Sequence, residues 1–103
     1  MTEENNYLLS VRASEDIRGI ARFSIEKFGI LQADIYRKGL TSFLNNLGNT
    51  PEIGREYIAI KRHMLSRFRF KAHSIFYHSI DKRIFIVRIL GNKMSFIKHL
   101  ESK

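Results

Sequence analysis

Apolar residues return every three or four positions from Ser14 to Gly48, and beyond Pro51 that rhythm gives way to alternation. Ile17, Ile20, Ala21, Ile25 and Phe28 form a first stripe, which predicts a helix burying that face. Ser14 stands where an N-cap belongs, Glu15 and Asp16 follow where the helix dipole favours acids, and Gly29 supplies a stop. Ala33, Tyr36, Leu40, Phe43, Leu44 and Leu47 form a second stripe, closed by the turn chemistry of Gly48, Asn49, Thr50 and Pro51. With so short a join, the two helices are expected to fold back as an antiparallel hairpin.

Ahead of the hairpin, Tyr7 to Arg12 reads as a short strand. After a loop through Glu52, Ile53, Gly54 and Arg55, Phe68 and Phe70 alternate with Arg67, Arg69 and Lys71, the solvated side of an edge strand. Ser74 to Tyr77 makes a more continuous run, and after a turn over residues 79–82 the stretch Ile84 to Leu90 is the most apolar of all. In regular alternation Phe85, Val87 and Ile89 share one face of that strand, and Ile84, Ile86, Arg88 and Leu90 the other. The second face then carries a cation among apolar neighbours. Such a guanidinium needs a carboxylate, supplied by the chain itself or by a partner protein. Gly91 ends the strand, and Met94, Ile97 and Leu100, with Lys93 and Lys98 alongside, predict a short terminal helix. The expected fold is α+β: an antiparallel-rich, four-stranded sheet with the helical hairpin on one face, a short C-terminal helix, and the opposite face open.

The length of 103 residues suits one domain spanning 1–103, with 1–6 as a flexible tail. At 44% hydrophobic residues the chain can fill a core, which sets it apart from disordered sequences. It has no cysteine, and with that go disulfides, thiol nucleophiles and the usual structural zinc patterns. His73 and His78 are five residues apart and point to opposite faces of a regular strand, so no metal site or cofactor is implied. The polar, acidic start and the lack of an apolar run of about 20 residues predict a cytoplasmic protein without a membrane anchor. The net charge of +8 is lopsided, since residues 1–54 hold six Lys/Arg against seven Asp/Glu and residues 55–103 hold twelve against three. A basic C-terminal half calls for an acidic partner.

Four ordered segments resemble the ParE toxins of type II toxin-antitoxin systems, within the RelE/ParE superfamily of plasmid stabilisation proteins. In the run from Ser14 to Tyr36, the acidic pair Glu15-Asp16 with Ile17 and Ile20 is similar to their A-x-x-D-L-x-x-I, and Phe28-Gly29 with Gln32, Ala33 and Tyr36 to their F-G then Q-A-x-x-Y. Pro51, Ile53, Gly54 and Arg55 resemble P-x-(L/I)-G-R; His73, Ile75, Phe76 and Tyr77 resemble H-x-I-F-Y; Ile86, Arg88, Ile89 and Leu90 resemble I-x-R-I-L, with Met94 following. The chain departs from the pattern at Gly91, where His is usual, at Ser95, where Asp is usual, and at Lys71 and Ala72, where the tight turn usually carries Gly.

The resemblance implies a toxin that inhibits DNA gyrase by binding, neutralised by an antitoxin whose acidic C-terminal segment folds on the toxin. Arg88, Arg67, Arg69 and Ile86 are the expected antitoxin contacts, and Lys71, Arg83, Lys93, Met94 and Lys98 the expected target contacts. RelE ribonucleases share the architecture and act on mRNA at the ribosome, so a second reading assigns His73, Lys93 and His99 to RNA cleavage. Against it, Ser74 stands where that branch carries Arg. A plain nucleic-acid binder is a third reading, although the sequence has no helix-turn-helix signature.

Overall fold

The computed structural model describes residues 6–101. Its first helix begins four residues earlier than the Ser14 cap predicts. Strand β1 (Tyr7–Leu9) is cut short because Ser10 caps helix α1 (Val11–Phe28), its side chain accepting from the Ala13 amide at 2.9 Å. The same hydroxyl donates to the Val87 carbonyl at 2.7 Å, a second bond for which the sequence around Ser14 gives no equivalent. Glu15 and Asp16 therefore lie beyond the first turn, where the helix dipole favours them less. Asn6, expected in the tail, is held by α2 through its amide to Asn45 Oδ1 (2.8 Å) and its side chain to Asn49 (2.7 Å); residues 1–5 of that tail lie outside the described residues.

Gly29, at φ 90°, turns the chain into helix α2 (Ile30–Asn49), and a single 3₁₀ turn (Pro51–Ile53) leads to strands β2 (Arg55–Ile60), β3 (His63–Phe70), β4 (His73–Ile80) and β5 (Arg83–Gly91). Helix α3 (Phe96–Glu101) follows. The sheet order is β1-β5-β4-β3-β2, with β1 parallel to β5 and the remaining pairs antiparallel. The α+β class holds, but the sheet has five strands where the sequence predicted four. The additional strand is β2. A bulge at Tyr57, between the register pairs of Glu56 and Ile58, breaks its alternation. Its hairpin with β3 turns on Lys61 and Arg62, both at positive φ (51° and 76°), rather than on the Asn-Gly or Asp-Gly that announces such a turn.

A second bulge, at Val87, resets β5. Tyr77 pairs with Ile86 while Phe76 pairs with Arg88, so the alternation switches faces and Ile89 joins Ile84 and Ile86 in the core beneath the hairpin. Arg88 is thereby moved off the face of Ile84 and Ile86 that regular alternation gives it. Leu40, Leu44 and Leu47 of α2, Ala13 of α1, and Ile75 and Tyr77 of β4 complete that core. The other face is not fully open. Phe96 and Leu100 of α3 pack there with Leu65, Phe76 and Leu90, because Leu100 cannot bury its side chain except by folding back on the sheet.

Two of the motif segments meet in this core. The Tyr77 hydroxyl donates to the Pro51 carbonyl at 2.6 Å, and a Cβ on Gly54 would collide with that hydroxyl. Gly54→Ala is expected to cost about 1–3 kcal/mol through overpacking, read as a lowered urea midpoint. Retained stability would show that Tyr77 moves aside freely.

Candidate functional surfaces

Arg88, the cation in need of a partner, finds it inside the chain. Its Nε and Nη2 donate to Asp16 Oδ2 and Oδ1 at 2.9 and 3.0 Å, and Nη1 donates to the His99 carbonyl at 3.0 Å. Asp16 Oδ2 also accepts the Ile89 amide at 2.9 Å, beyond the point where β1 stops pairing with β5. One bidentate pair thus joins α1, β5 and α3, and Arg88 is only 8% exposed. Ile86 is fully buried under the hairpin. Two of the four expected antitoxin contacts, Arg88 and Ile86, therefore sit inside the fold.

Arg67 and Arg69 do reach the surface. They lie towards the end of the sheet where β3 turns into β4 and β5 finishes, and Arg55 pairs directly with Arg67 across β2 and β3. Arg67 Nε donates to Ser74 Oγ (3.0 Å), which in turn donates to Asn92 Oδ1 (2.6 Å). Its guanidinium lies 4.8 Å from the Phe96 ring centroid and 6.0 Å from that of Tyr57. Arg69 Nε donates to the Lys71 carbonyl at 3.2 Å. Arg55 was hidden in the loop that the sequence suggested before the strands. Only its place in the P-x-I-G-R match marked it.

The expected target contacts separate into two groups. Asn92 donates through its backbone amide to the Ala72 carbonyl and through its side chain to the Lys71 carbonyl, which brings the β3–β4 turn against the loop holding exposed Lys93 and Met94. Met94 Sδ accepts the Gly91 amide at 3.1 Å, and Lys98 is exposed on α3. Arg83 is at the opposite end, beside the β4–β5 turn, donating to the Tyr7 carbonyl at 3.3 Å.

The ribonuclease trio is drawn from three places, β4, the loop before α3, and α3 itself. His73 faces the hairpin, sharing a 2.8 Å hydrogen bond between its Nδ1 and Tyr36 Oη. Burial lowers its pKa below the usual imidazole range, against a smaller opposing pull from Asp16. Lys93 lies in the loop before α3, and His99 rides on α3, which packs on the other face of the sheet. His78 stacks on His63 at 4.2 Å, a pairing across β4 and β3 that the sequence did not suggest.

The helical hairpin carries a surface of a different kind. Ile25 and Phe28, expected in the core, are 44% and 62% exposed, and Phe23, Ile30, Leu31 and Ile35 add 59%, 74%, 76% and 55%. The described residues of α1 that are buried are Ala13 and Ser24, so towards Gly29 the hairpin outruns the sheet that would cover it. Exposed apolar side chains gathered at one end of a hairpin are the kind of surface that protein contacts use.

A helical hairpin on a bulged, mixed five-stranded sheet, with exposed apolar residues at its tip and arginines at one end of the sheet, defines a small α+β domain. Residues 7–96 match the family model described as the ParE toxin of the type II toxin-antitoxin system, parDE. The chain belongs to this family and is a ParE-type toxin. Its fold is similar to that of a solved structure titled as a chromosomal ParDE toxin-antitoxin system from P. aeruginosa, with a TM-score of 0.69 and 15% identity, covering 84% of this chain and 95% of that one. No curated protein matches the sequence. Among the described residues no helix is long and apolar enough to cross a membrane.

Proposed function

We propose that this toxin acts in the cytoplasm as a single domain, inhibits DNA gyrase by binding it, and is silenced by a cognate antitoxin. The family match over residues 7–96 carries the reading. The half-buried place of His73 against the hairpin, with its Nδ1 hydrogen-bonded to Tyr36 Oη, favours a structural histidine and so binding over RNA cleavage. On the antitoxin side, a segment that folds on binding lays apolar anchors over Phe23, Phe28, Ile30, Leu31 and Ile35 and places acidic side chains along Arg67 and Arg69. Lys71, Lys93, Met94 and Lys98, gathered around the β3–β4 turn and α3, are the proposed target contacts; Arg83 stands apart from them. Supercoiling by gyrase in the presence of the purified protein is the test. Inhibition is expected, and full activity at saturating toxin would overturn the target.

A further inference from the structure

The arginines at the end of the sheet are arranged against their own interest. Arg55 and Arg67 are direct cross-strand partners, a placement in which like charges destabilise a sheet, and Arg69 follows two residues on from Arg67, a step of about 6.8 Å along an antiparallel strand. Among the described residues none of the three is in an ion pair: the pairs there are Asp34 with Arg37 and Lys38 and Asp16 with Arg88, and Glu56 lines the same cleft without pairing with any of the three. What holds the arginines is neutral. Ser74, fully buried, fixes Arg67 through Nε and is itself fixed by Asn92, while a carbonyl fixes Arg69 through Nε. The terminal nitrogens of Arg67 and Arg69 meet no hydrogen-bond acceptor among the described residues. Anchored at one edge and open at the other, a guanidinium is prepared for a bidentate oxyanion.

These side chains, with Ile53, Tyr57 and Phe68, line a cleft of about 500 Å³. That volume is in the range that holds a small organic ligand and is far too small for a duplex. Carboxylates and phosphates both suit the forks; the aromatic flank separates them. Tyr57 is 39% exposed beside the Arg67 guanidinium, and a ring next to a row of cations is how single strands are held, with bases stacked and phosphates paired. We propose that this cleft binds a single-stranded nucleic acid, its phosphodiester groups on Arg55, Arg67 and Arg69 and a base against Tyr57. The inference is separate from the gyrase reading, since it requires nucleic acid alone. It also gives the acidic antitoxin segment a second role, as a competitor for the same guanidinium forks.

Fluorescence anisotropy with a labelled single-stranded DNA, without gyrase, tests it. The Arg55→Gln/Arg67→Gln/Arg69→Gln variant is expected to bind at least about tenfold more weakly, with the slope of log K against log salt reduced by about two for three lost phosphate contacts. A control that removes equal charge at the opposite end, Lys61→Gln/Arg62→Gln/Lys82→Gln, should lose less than about threefold if binding is local rather than diffuse. Tyr57→Ala should weaken the single strand while leaving duplex binding unchanged. Single-stranded RNA of the same sequence is the parallel arm; arginine-dependent binding of either strand supports the proposal, and their ratio names the strand. Equal losses in the two triple variants would overturn it, as would an oligoglutamate that binds these arginines more tightly than the oligonucleotide. Should the triple variant not fold, Arg69→Gln alone, at an exposed position, must still lower the salt slope by about 0.7.

Discussion

Asp16→Ala will destabilise the protein by about 3–5 kcal/mol, the cost of leaving a buried cation without its counter-charge. Asp16 satisfies two arginine nitrogens and the Ile89 amide at once, so its loss strands donors on the side of β5 that β1 no longer covers. The thermal midpoint should fall by tens of degrees, at about 4–8 °C per kcal/mol for a domain of this size. Removing both charges, in Asp16→Leu/Arg88→Met, is expected to recover most of that stability, because a well-packed apolar pair can replace a buried ion pair at little cost. If Asp16→Ala melts with the parent protein, the pair is not the clamp that joins α1, β5 and α3.

Charging the tip of the hairpin will cost antitoxin binding rather than stability. Phe28 and Leu31 are among the most exposed apolar side chains, so Phe28→Asp/Leu31→Asp removes two anchors without opening a cavity. At roughly 2 kcal/mol for each central anchor, affinity for the cognate antitoxin should drop about a thousandfold with the melting temperature unchanged. Titration calorimetry beside a thermal melt reads both. Unchanged affinity would place the antitoxin elsewhere, and a collapse of stability would mean that the hairpin tip is packed in solution.

The residues that carried the family resemblance turn out to touch one another. Asp16 of the first motif pairs with Arg88 of the last, and Gly54 of the loop motif makes room for Tyr77 of the H-x-I-F-Y strand. The helices, β4, β5 and the α+β class were therefore legible from periodicity, and Arg88's need for a carboxylate was legible from its apolar neighbours. Three features were not. The bulge at Val87 inserts one residue into an otherwise clean alternation, and nothing in Ile-Val-Arg-Ile distinguishes it from a regular strand. Lys61, Arg62, Lys71 and Asp81 occupy positive φ without the glycines that make such turns visible, which hid β2 and with it Arg55 and Tyr57. The stripe in α1 correctly predicted a helix but not where its cover ends, since burial of Ile25 and Phe28 depends on how far the sheet extends beneath them.

The proposed function requires that this toxin bind gyrase and not cut RNA. Purified protein titrated into a gyrase reaction, with supercoiling and trapped cleaved DNA both quantified and ribosome-dependent mRNA cleavage run in parallel, tests that claim most directly. Lost supercoiling and accumulating cleaved DNA with the mRNA intact are expected; cleaved mRNA beside fully active gyrase would overturn the proposed target.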